Sequence, residues 1–243
     1  MIATLHMIQL ELNRRATLEF AHRHDLPMLD GDLGYLLHTV MREAFQQDAP
    51  HPFAVTGSAK GVIQVLGYAS AGEETLRDNL RSFARPELMH LVDPSRVASK
   101  PMPEAWVPGR RLAFEVRACP VLRQRRPQDR SRGREMDVYQ AAAEKAGREA
   151  TGGRERVYRE WIVTQLARGG AVSDVAARLA RFHRRRLVRR NARRELAASE
   201  KPDATFRGEF TVADPAAFAA LLHRGVGRHR AFGFGMVLLR PPR

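Results

Sequence analysis

The sequence predicts an α+β fold in which two β-α-β-β-α-β units follow each other along the chain. Alternation of apolar and polar residues marks the strands, and apolar residues at helical spacing mark the helices between them. The length of 243 residues, 44% of them hydrophobic, suits one large domain or two domains of about 120 residues, since a domain usually has about 100–200 residues. A basic stretch from 123 to 134 without strand character separates the two series of elements.

The first unit opens with a strand over residues 4–12, where apolar and polar residues alternate. A loop is predicted from Arg15 to Gly31. Asp32 then caps a helix that runs to about Phe45, because an aspartate before a helix accepts hydrogen bonds from its first N–H groups. The apolar stripe of this helix consists of Leu33, Leu37, Val40, Met41 and Ala44.

The remaining elements of the first unit follow in order. Strands over residues 55–56 and 61–67 are joined by a turn rich in small residues. A helix is predicted over Glu73–Phe83, and proline-rich sequence from 94 to 108 then leads to a strand over residues 111–119. This order is the ferredoxin-like, or RRM-like, arrangement, and the strand over 111–119 is predicted to complete it.

The second half repeats most of this order. Its first strand is weakly marked and is predicted within residues 120–126. The elements that follow are helices from about Met136 and over Arg154–Arg168, a strand over Thr205–Val212, a helix over Asp214–His223 and a last strand over Met236–Leu239. We therefore predict an N-terminal domain at residues 1–122 and a C-terminal domain at residues 123–243.

The charge balance predicts a polyanionic partner. Lysine and arginine total 41 against 27 acidic residues, which gives a net charge of +14. Arginine dominates this excess, and its planar guanidinium pairs with phosphates and stacks on bases, so nucleic-acid binding is expected. No apolar run approaches the roughly 18 residues of a membrane span, and the N-terminus lacks a signal-peptide layout. We expect a cytoplasmic protein with no membrane partner.

Several classes of cofactor are excluded by the residue types present. Cys119 is the single cysteine, so intramolecular disulfides and thiolate zinc sites cannot form. The nine histidines show no metal-ligand spacing, and the chain has no glycine-rich Walker sequence. We predict neither a metal ion nor a cofactor.

A glycine-rich loop precedes the last strand. Two pairs of glycines bracket a basic centre, and the residues concerned are Gly225, Gly227, Arg228, His229, Arg230, Gly233 and Gly235. Glycine permits positive φ and close approach of a ligand to the backbone, and successive N–H groups in such a loop bind anions. The loop predicts a phosphate-backbone contact, with a purely structural glycine-rich hairpin as the alternative.

The most basic stretch runs from residue 178 to 194 and has three interpretations. As a strand pair or loop it would line the grooves of an RNA hairpin, as a helix it would form a solvated face, and as a disordered segment it would be a basic arm. The predicted RNA contacts are Arg184, Arg185, Arg186, Arg189, Arg190, Arg193 and Arg194. Because so many like charges repel one another, a polyanion partner is favoured. Arg117 either faces RNA or pairs with an acid.

Four segments in order resemble one family. They are Tyr35-Leu-Leu-His38, Pro108 to Pro120, Phe206 to Pro215 and Arg224 to Gly235. Together they resemble the CRISPR repeat-processing endoribonucleases of the CasE type, a branch of the RAMP family. The resemblance implies two ferredoxin-like domains, recognition of a hairpin in the repeat RNA and metal-independent cleavage at its 3′ base. It also implies retention of the product with other Cas subunits in an effector complex.

The resemblance also assigns residues. His38 matches the family's catalytic histidine, Tyr35 its active-site tyrosine, and the Gly225–Gly235 segment its signature loop. The basic residue that often follows the histidine by five positions is replaced here by Glu43, so its role passes to Arg42, Arg23 or another arginine. The excess of arginine leaves open a related processing nuclease of a type IV system.

The chemistry implied is attack of a ribose 2′-OH on the adjacent phosphate. This reaction needs a base, an acid and cations for the charge of the phosphorane, and histidine suits either proton transfer. We assign His38 as general base and Tyr35 to orienting the ribose or donating a proton. Arg23 and Arg42 are candidates for stabilising the transition state. In the alternative interpretation, Tyr35 and His38 belong to the solvated flank of an amphipathic helix.

Two other functions stay open at this point. The first is a non-catalytic RNA-hairpin-binding subunit of a ribonucleoprotein complex, which would keep binding but show no cleavage that depends on His38. The second is a basic DNA-binding architectural protein, which would show no preference for an RNA hairpin over duplex DNA of equal charge.

Overall fold

The computed structural model describes residues 4–124, 134–147, 152–190 and 195–242, without the side chain of Arg190. The elements of its first half are β1 His6–Asn13, α1 Arg14–Arg23, α2 Gly34–Phe45, β2 Phe53–Ala59, β3 Val62–Ala69, α3 Glu73–Phe83, α4 Pro86–Leu91 and β4 Ala98–Pro101. The strands form an antiparallel sheet in the order β2-β3-β1-β4. The four strands and helices α2 and α3 therefore make a ferredoxin-like unit.

The second half repeats this topology. Its elements are β5 Arg111–Ala118, β6 Val121–Gln124, β7 Arg134–Asp137, α5 Val138–Ala146, α6 Gly153–Ala167, β8 Val172–Arg190, β9 Leu196–Val212, α7 Pro215–Arg224 and β10 Val237–Arg240. The main sheet has the order β10-β5-β9-β8, again antiparallel. With β5, β8, β9 and β10 in the places of β1 to β4, the order matches the first sheet. The predicted pair of ferredoxin-like units is confirmed.

One strand was assigned to the wrong unit. The strand predicted over 111–119 opens the second sheet as β5, where it lies between β9 and β10. The first sheet is closed by Ala98–Pro101, a four-residue strand with mostly exposed side chains and therefore no apolar alternation. The weak strand predicted within 120–126 is β6, which pairs with β7 in a separate ladder. We propose that the domain boundary lies between residues 101 and 111 rather than at 122/123.

The predicted loop from 15 to 31 contains a helix instead. The Asn13 side chain caps α1 by accepting a hydrogen bond from the Ala16 N–H at 3.1 Å. Thr17, Phe20 and Ala21 of this helix are buried. Asparagine as a helix cap followed by apolar residues at helical spacing was the available signal. The short helix α4 was missed as well.

Helix α2 begins close to the predicted cap. The Asp32 carboxylate accepts a hydrogen bond from the Gly34 N–H at 3.3 Å. Of the predicted apolar stripe, the buried members are Leu37, Val40, Met41 and Ala44. Leu33 precedes the helix and is only partly buried. The apolar face of α2 packs in the core of the first unit. On its other flank, His38 contacts Phe232, which belongs to the second half of the chain.

The arginine-rich stretch is a strand up to residue 190. It forms the end of β8, which pairs with β9 over almost its full length, so the strand conformation is confirmed for residues 178–190, while the contact with RNA stays a prediction. Arg193 and Arg194 lie outside the described residues, as does most of the predicted basic linker, 125–133. In the described part of the chain, no helix combines the length and apolar character needed to cross a membrane.

Candidate active site

A cavity of about 570 Å³ lies where the two halves of the chain meet. It is bordered by α1, α2, β8 and the glycine-rich loop. Its lining residues are Phe20, His24, Leu26, Tyr35, His38, Thr39, Arg42, Glu43, Arg189 and Phe232. The structure thus brings both predicted active-site residues of α2 together with one arginine of the basic stretch and one aromatic residue of the glycine-rich loop.

His38 is half-buried in the wall of this cavity. Its ring centroid lies 5.1 Å from that of Phe232, with the two planes tilted by 59°. Burial lowers the pKa of His38, and the positive charge of Arg42 and the nearby His51 lower it further. Near neutral pH the imidazole is therefore uncharged and can accept a proton.

Tyr35 lies one turn before His38 and is 9% exposed. Its ring is stacked on Phe232, with centroids 6.2 Å apart and planes 14° from parallel. Phe232 therefore contacts both predicted active-site side chains of α2. Because these contacts fix the two rings relative to each other, the predicted pair is not the freely solvated helix flank of the alternative interpretation.

The two candidate arginines lie in different places. Arg42 lines the cavity, is exposed, and donates a hydrogen bond to the Gln46 carbonyl at 2.9 Å. Arg23 pairs with Glu87 of α4 at 3.2 Å and lies outside the set of described residues that line the cavity. The geometry favours Arg42 over Arg23 as a cation beside His38.

The glycine-rich loop folds back on itself. The Val226 N–H donates to the Gly235 carbonyl at 2.8 Å, and the Gly235 N–H donates to the Arg117 carbonyl at 2.7 Å. Gly225 and Gly235 have φ of 70° and 80°, and a Cβ at either position would overlap neighbouring backbone. Both glycines are therefore required by conformation and by space. The closed loop carries Phe232 to the surface of α2.

The basic side chains of this loop have partners within the protein, and that of His229 is buried. Arg228 binds Glu135 at 2.6 Å, and Arg230 donates to the Arg224 carbonyl. His229, with its side chain 1% exposed, places Nε2 3.0 Å from Glu135 and 2.6 Å from Arg189. This nitrogen either donates to the carboxylate or accepts from the guanidinium. The predicted RNA contacts of the loop stay predictions.

Arg189 contributes to the cavity in a way that the sequence did not predict. Its guanidinium lies 5.3 Å from the centre of the Phe232 ring and binds His229. Burial lowers its pKa, but arginine keeps its charge in proteins. From the sequence, Arg189 was predicted only as one of several arginines that contact RNA. Its place in the cavity that His38 also lines follows from the way β8 passes α2, which no local pattern encodes.

The sequence as a whole matches one family model. The model for the CRISPR associated protein family covers residues 5–241. The chain belongs to this family. The predicted CRISPR relationship is therefore confirmed. No curated protein matches the chain in sequence.

Solved structures of CRISPR proteins share the fold of this family member. A CRISPR endoribonuclease Cse3 bound to a 19-nucleotide RNA is 19% identical, with a TM-score of 0.64 over 98% of this chain and 100% of that one. Cas6e from Escherichia coli K-12 is 18% identical, with a TM-score of 0.54 over the same shares. A chain of a CRISPR RNA-guided surveillance complex is 14% identical, with a TM-score of 0.54 and the same coverage. At these identities the similarity establishes the fold.

In this CRISPR-associated protein, an ion-pair network joins the cavity-bearing helix to the second sheet. Arg117 of β5 binds Asp203 of β9 through two bonds of 2.9 and 2.8 Å, and binds Asp32 at 3.0 Å. Arg185 of β8 also pairs with Asp203 at 2.9 Å. Arg117 therefore pairs with acids, one of its two predicted roles. The network fixes the start of α2 against β5, β8 and β9.

A second contact involves the turn before α2. Asp30 accepts hydrogen bonds from the Arg186 backbone at 2.8 Å and from its guanidinium at 2.9 Å. Asp30 has a φ of 52°, and its carbonyl accepts from Arg185 at 2.9 Å. Arg184 instead binds Glu200 of β9 at 2.7 Å. Of the predicted RNA contacts, Arg184 and Arg186 remain 42% and 58% exposed at the side chain.

Proposed function

We propose that the protein is an endoribonuclease that binds the hairpin of a CRISPR repeat and cleaves the precursor RNA. The observation that carries this proposal is the position of His38, an uncharged imidazole in a cavity shared with the cations of Arg42 and Arg189. A proton acceptor and two positive charges in one cavity fit the requirements of RNA cleavage through a phosphorane.

The family and the fold support the choice of substrate. The chain belongs to the CRISPR associated protein family, and a structure with the same fold is an endoribonuclease bound to RNA. The net charge of +14 favours a polyanion. We therefore propose CRISPR repeat RNA as the ligand, and other Cas subunits as partners, by analogy with the surveillance-complex chain of the same fold.

The proposed reaction uses a nucleophile that belongs to the substrate. The ribose 2′-OH gives its proton to His38 and attacks the adjacent phosphorus. The bond from phosphorus to the 5′ oxygen breaks, and this oxygen takes up a proton from an acid in the site. Arg42 and Arg189 stabilise the negative charge that develops on the phosphoryl oxygens. Since the 2′-OH is already positioned, no metal-bound water is needed, and we propose cleavage without a metal ion. The products are a 2′,3′-cyclic phosphate and a free 5′ hydroxyl.

The RNA stem is proposed to lie along β8. The side chains of Arg184 and Arg186 are partly exposed on this strand, each in an ion pair that a phosphate would compete with, and arginine binds phosphates in a bidentate way. Double-stranded RNA is recognised mainly through its shape, phosphates and 2′-hydroxyls, which suits a rigid basic strand. The cavity with His38 lies beside the same strand, so a bound stem would place its base near the catalytic histidine. We propose that the cleaved hairpin stays bound there.

A cleavage assay with the repeat RNA in EDTA tests this function. Wild-type protein is compared with His38→Ala and with His22→Ala, a control on the exposed surface of α1, and a substrate with 2′-deoxyribose at the cut site is included. We expect His38→Ala to lower the cleavage rate by about 10²–10⁴-fold, the usual contribution of an acid–base group. The deoxy substrate should not be cut, and His22→Ala should match wild type.

Other outcomes would assign a different role. Full activity of His38→Ala on the ribose substrate would move the proton transfer to another residue. Tight binding of the hairpin by wild-type protein without any cleavage would support the non-catalytic binding subunit. Equal affinity for the RNA hairpin and for duplex DNA would support the architectural DNA-binding protein.

A further inference from the structure

A second cavity adjoins the first one at His38 and Arg42. It has a volume of about 360 Å³, and its lining residues are His38, Met41, Arg42, Gln47, Ala49, Pro50, His51, Phe53 and Ala231. His38 and Arg42 line both cavities. The second cavity therefore adds one further titratable group, His51, to the surroundings of the proposed catalytic histidine.

The backbone of His51 is fixed. Its N–H donates to the Tyr68 carbonyl at 2.7 Å, and the Tyr68 N–H donates to the Pro52 carbonyl at 3.0 Å. These bonds extend the pairing of β2 with β3, and the flanking residues Pro50 and Phe53 are buried. His51 itself is exposed. A rigid main chain thus presents an accessible imidazole to the cavity.

We propose that His51 is a second catalytic residue, which protonates the departing 5′ oxygen while His38 takes the proton of the 2′-OH. This inference rests on the proposed function. The reaction balances, because one proton leaves the 2′ oxygen for His38 and another leaves His51 for the 5′ oxygen. The bond from the 2′ oxygen to phosphorus forms as the bond to the 5′ oxygen breaks, and exchange with water restores both imidazoles.

The position of Arg42 supports this division of labour. Arg42 lies in the lining of both cavities, on the same helix face as His38. A phosphate held by Arg42 would therefore lie in a cavity that both His38 and His51 line, and a reaction that needs a base and an acid requires two such groups. Tyr35, the other candidate for the acid, is 9% exposed and stacked against Phe232, so His51 is the more accessible donor.

The charges around His51 are positive. Partial desolvation by the cavity walls lowers the pKa of His51 although the residue is accessible, and Arg230 and His223 lower it further, while a backbone hydrogen bond opposes these effects. His38 also interacts with it electrostatically, and Arg42 shares its cavity. A bound phosphate would offset this repulsion and favour the protonated imidazole. His51 would then become an effective acid only when RNA occupies the site.

A substrate with sulfur in place of the bridging 5′ oxygen tests the assignment, because a thiolate leaves without protonation. We expect His51→Ala to cleave the ordinary repeat RNA about 10²–10⁴-fold more slowly than wild type, and to cleave the 5′-thio substrate at close to the wild-type rate. His38→Ala should be slow on both substrates. His51→Asn, which keeps a polar side chain of moderate size, should behave like His51→Ala, and His22→Ala should match wild type.

Each other result overturns the proposal in a distinguishable way. Cleavage of the ordinary RNA by His51→Ala at the wild-type rate, or equal loss on both substrates, would exclude His51 as the acid. Rescue by the 5′-thio substrate in Tyr35→Phe instead would assign that role to Tyr35. If wild-type protein cleaves neither substrate, the proposed function fails as well, whereas the first three results leave it intact.

Discussion

Gly34, the first residue of α2, packs so closely against Phe232 that a Cβ at position 34 would overlap the Phe232 carbonyl oxygen. The missing side chain lets a residue from the end of the chain sit directly on the helix that carries His38. Phe232 then contacts Tyr35 and His38 with its ring and lies under the guanidinium of Arg189. The close approach at Gly34 therefore determines the shape of the cavity wall.

Replacement of Gly34 by alanine should displace the loop from α2. We expect a loss of about 1–3 kcal/mol in the free energy of unfolding, the usual effect of overpacking, and a lower rate of RNA cleavage. Urea denaturation and the cleavage assay measure the two effects. Gly57→Ala is the matched control, because a Cβ there meets only the flexible Gln64 side chain. Equal stability of both variants would contradict the packing argument.

The pKa of His38 should depend on Arg42. Burial is the larger cause that lowers this pKa, and Arg42 lowers it further by repulsion between like charges. Arg42→Gln should therefore raise the pKa of His38 toward the usual value of about 6.5. An NMR titration of the His38 ring measures the shift, with Arg15→Gln, an exposed substitution on α1, as control.

The same shift has consequences for stability. A histidine whose pKa is lower in the folded chain than in the unfolded chain binds protons preferentially after unfolding. The stability that its neutral form contributes is therefore lost as the pH falls below the unfolded pKa of about 6.5. His38→Gln should reduce this loss, which urea titrations at neutral and mildly acidic pH would detect. A pKa of His38 above 6.5 in the wild-type protein would contradict both the expected effect of Arg42 on this pKa and the expected loss of stability at acidic pH.

Removal of Asp203 should destabilise the junction between the two sheets. Asp203 is buried and binds both Arg117 and Arg185, so Asp203→Asn leaves two guanidinium groups without their main counter-charge. Breaking a buried ion pair costs about 3–5 kcal/mol, although Arg117 keeps Asp32 as a partner. Asp78→Asn, which breaks an exposed pair with Arg81, should change the unfolding free energy by less than about 0.5 kcal/mol. Similar effects of the two substitutions would show that the network is not a structural anchor.

The role of β8 in RNA binding predicts a specific dependence on salt. Each phosphate contact that is lost should reduce the slope of log K against log salt concentration by about 1. Arg184→Gln and Arg186→Gln should each do so for repeat-hairpin RNA, as measured by filter binding over a range of salt concentrations. Arg81→Gln, an exposed substitution on α3, should leave the slope unchanged. An unchanged slope for both β8 variants would place the RNA elsewhere.

Elements with strong local signals were predicted well from the sequence. Helix α3 has its predicted bounds, and α7 starts where Asp214 and Pro215 indicated, with the Asp214 carboxylate accepting from the Ala217 N–H at 2.7 Å. In both cases the information lies within a few residues of the helix start. The partners of a strand are not encoded in this local way, which is why β5 was assigned to the wrong sheet.

Local sequence patterns also predicted only part of the candidate site. His38 and Tyr35 could be identified because they lie one turn apart on one helix and carry a family motif. Arg189 and His51 reach the same site from β8 and from the segment before β2, and their own sequence surroundings contain no catalytic pattern. Only the packing of the two units against each other brings these four side chains together.

The contact between Phe232 and α2 also has a consequence for synthesis on the ribosome. Domains generally fold in order from the N-terminus as the chain emerges, so α2 with His38 is formed long before residue 232 is made. The cavity wall that Phe232 supplies is therefore absent from every growing chain. Under the proposed function, a nascent chain therefore cannot complete this wall of the site until translation has passed the glycine-rich loop.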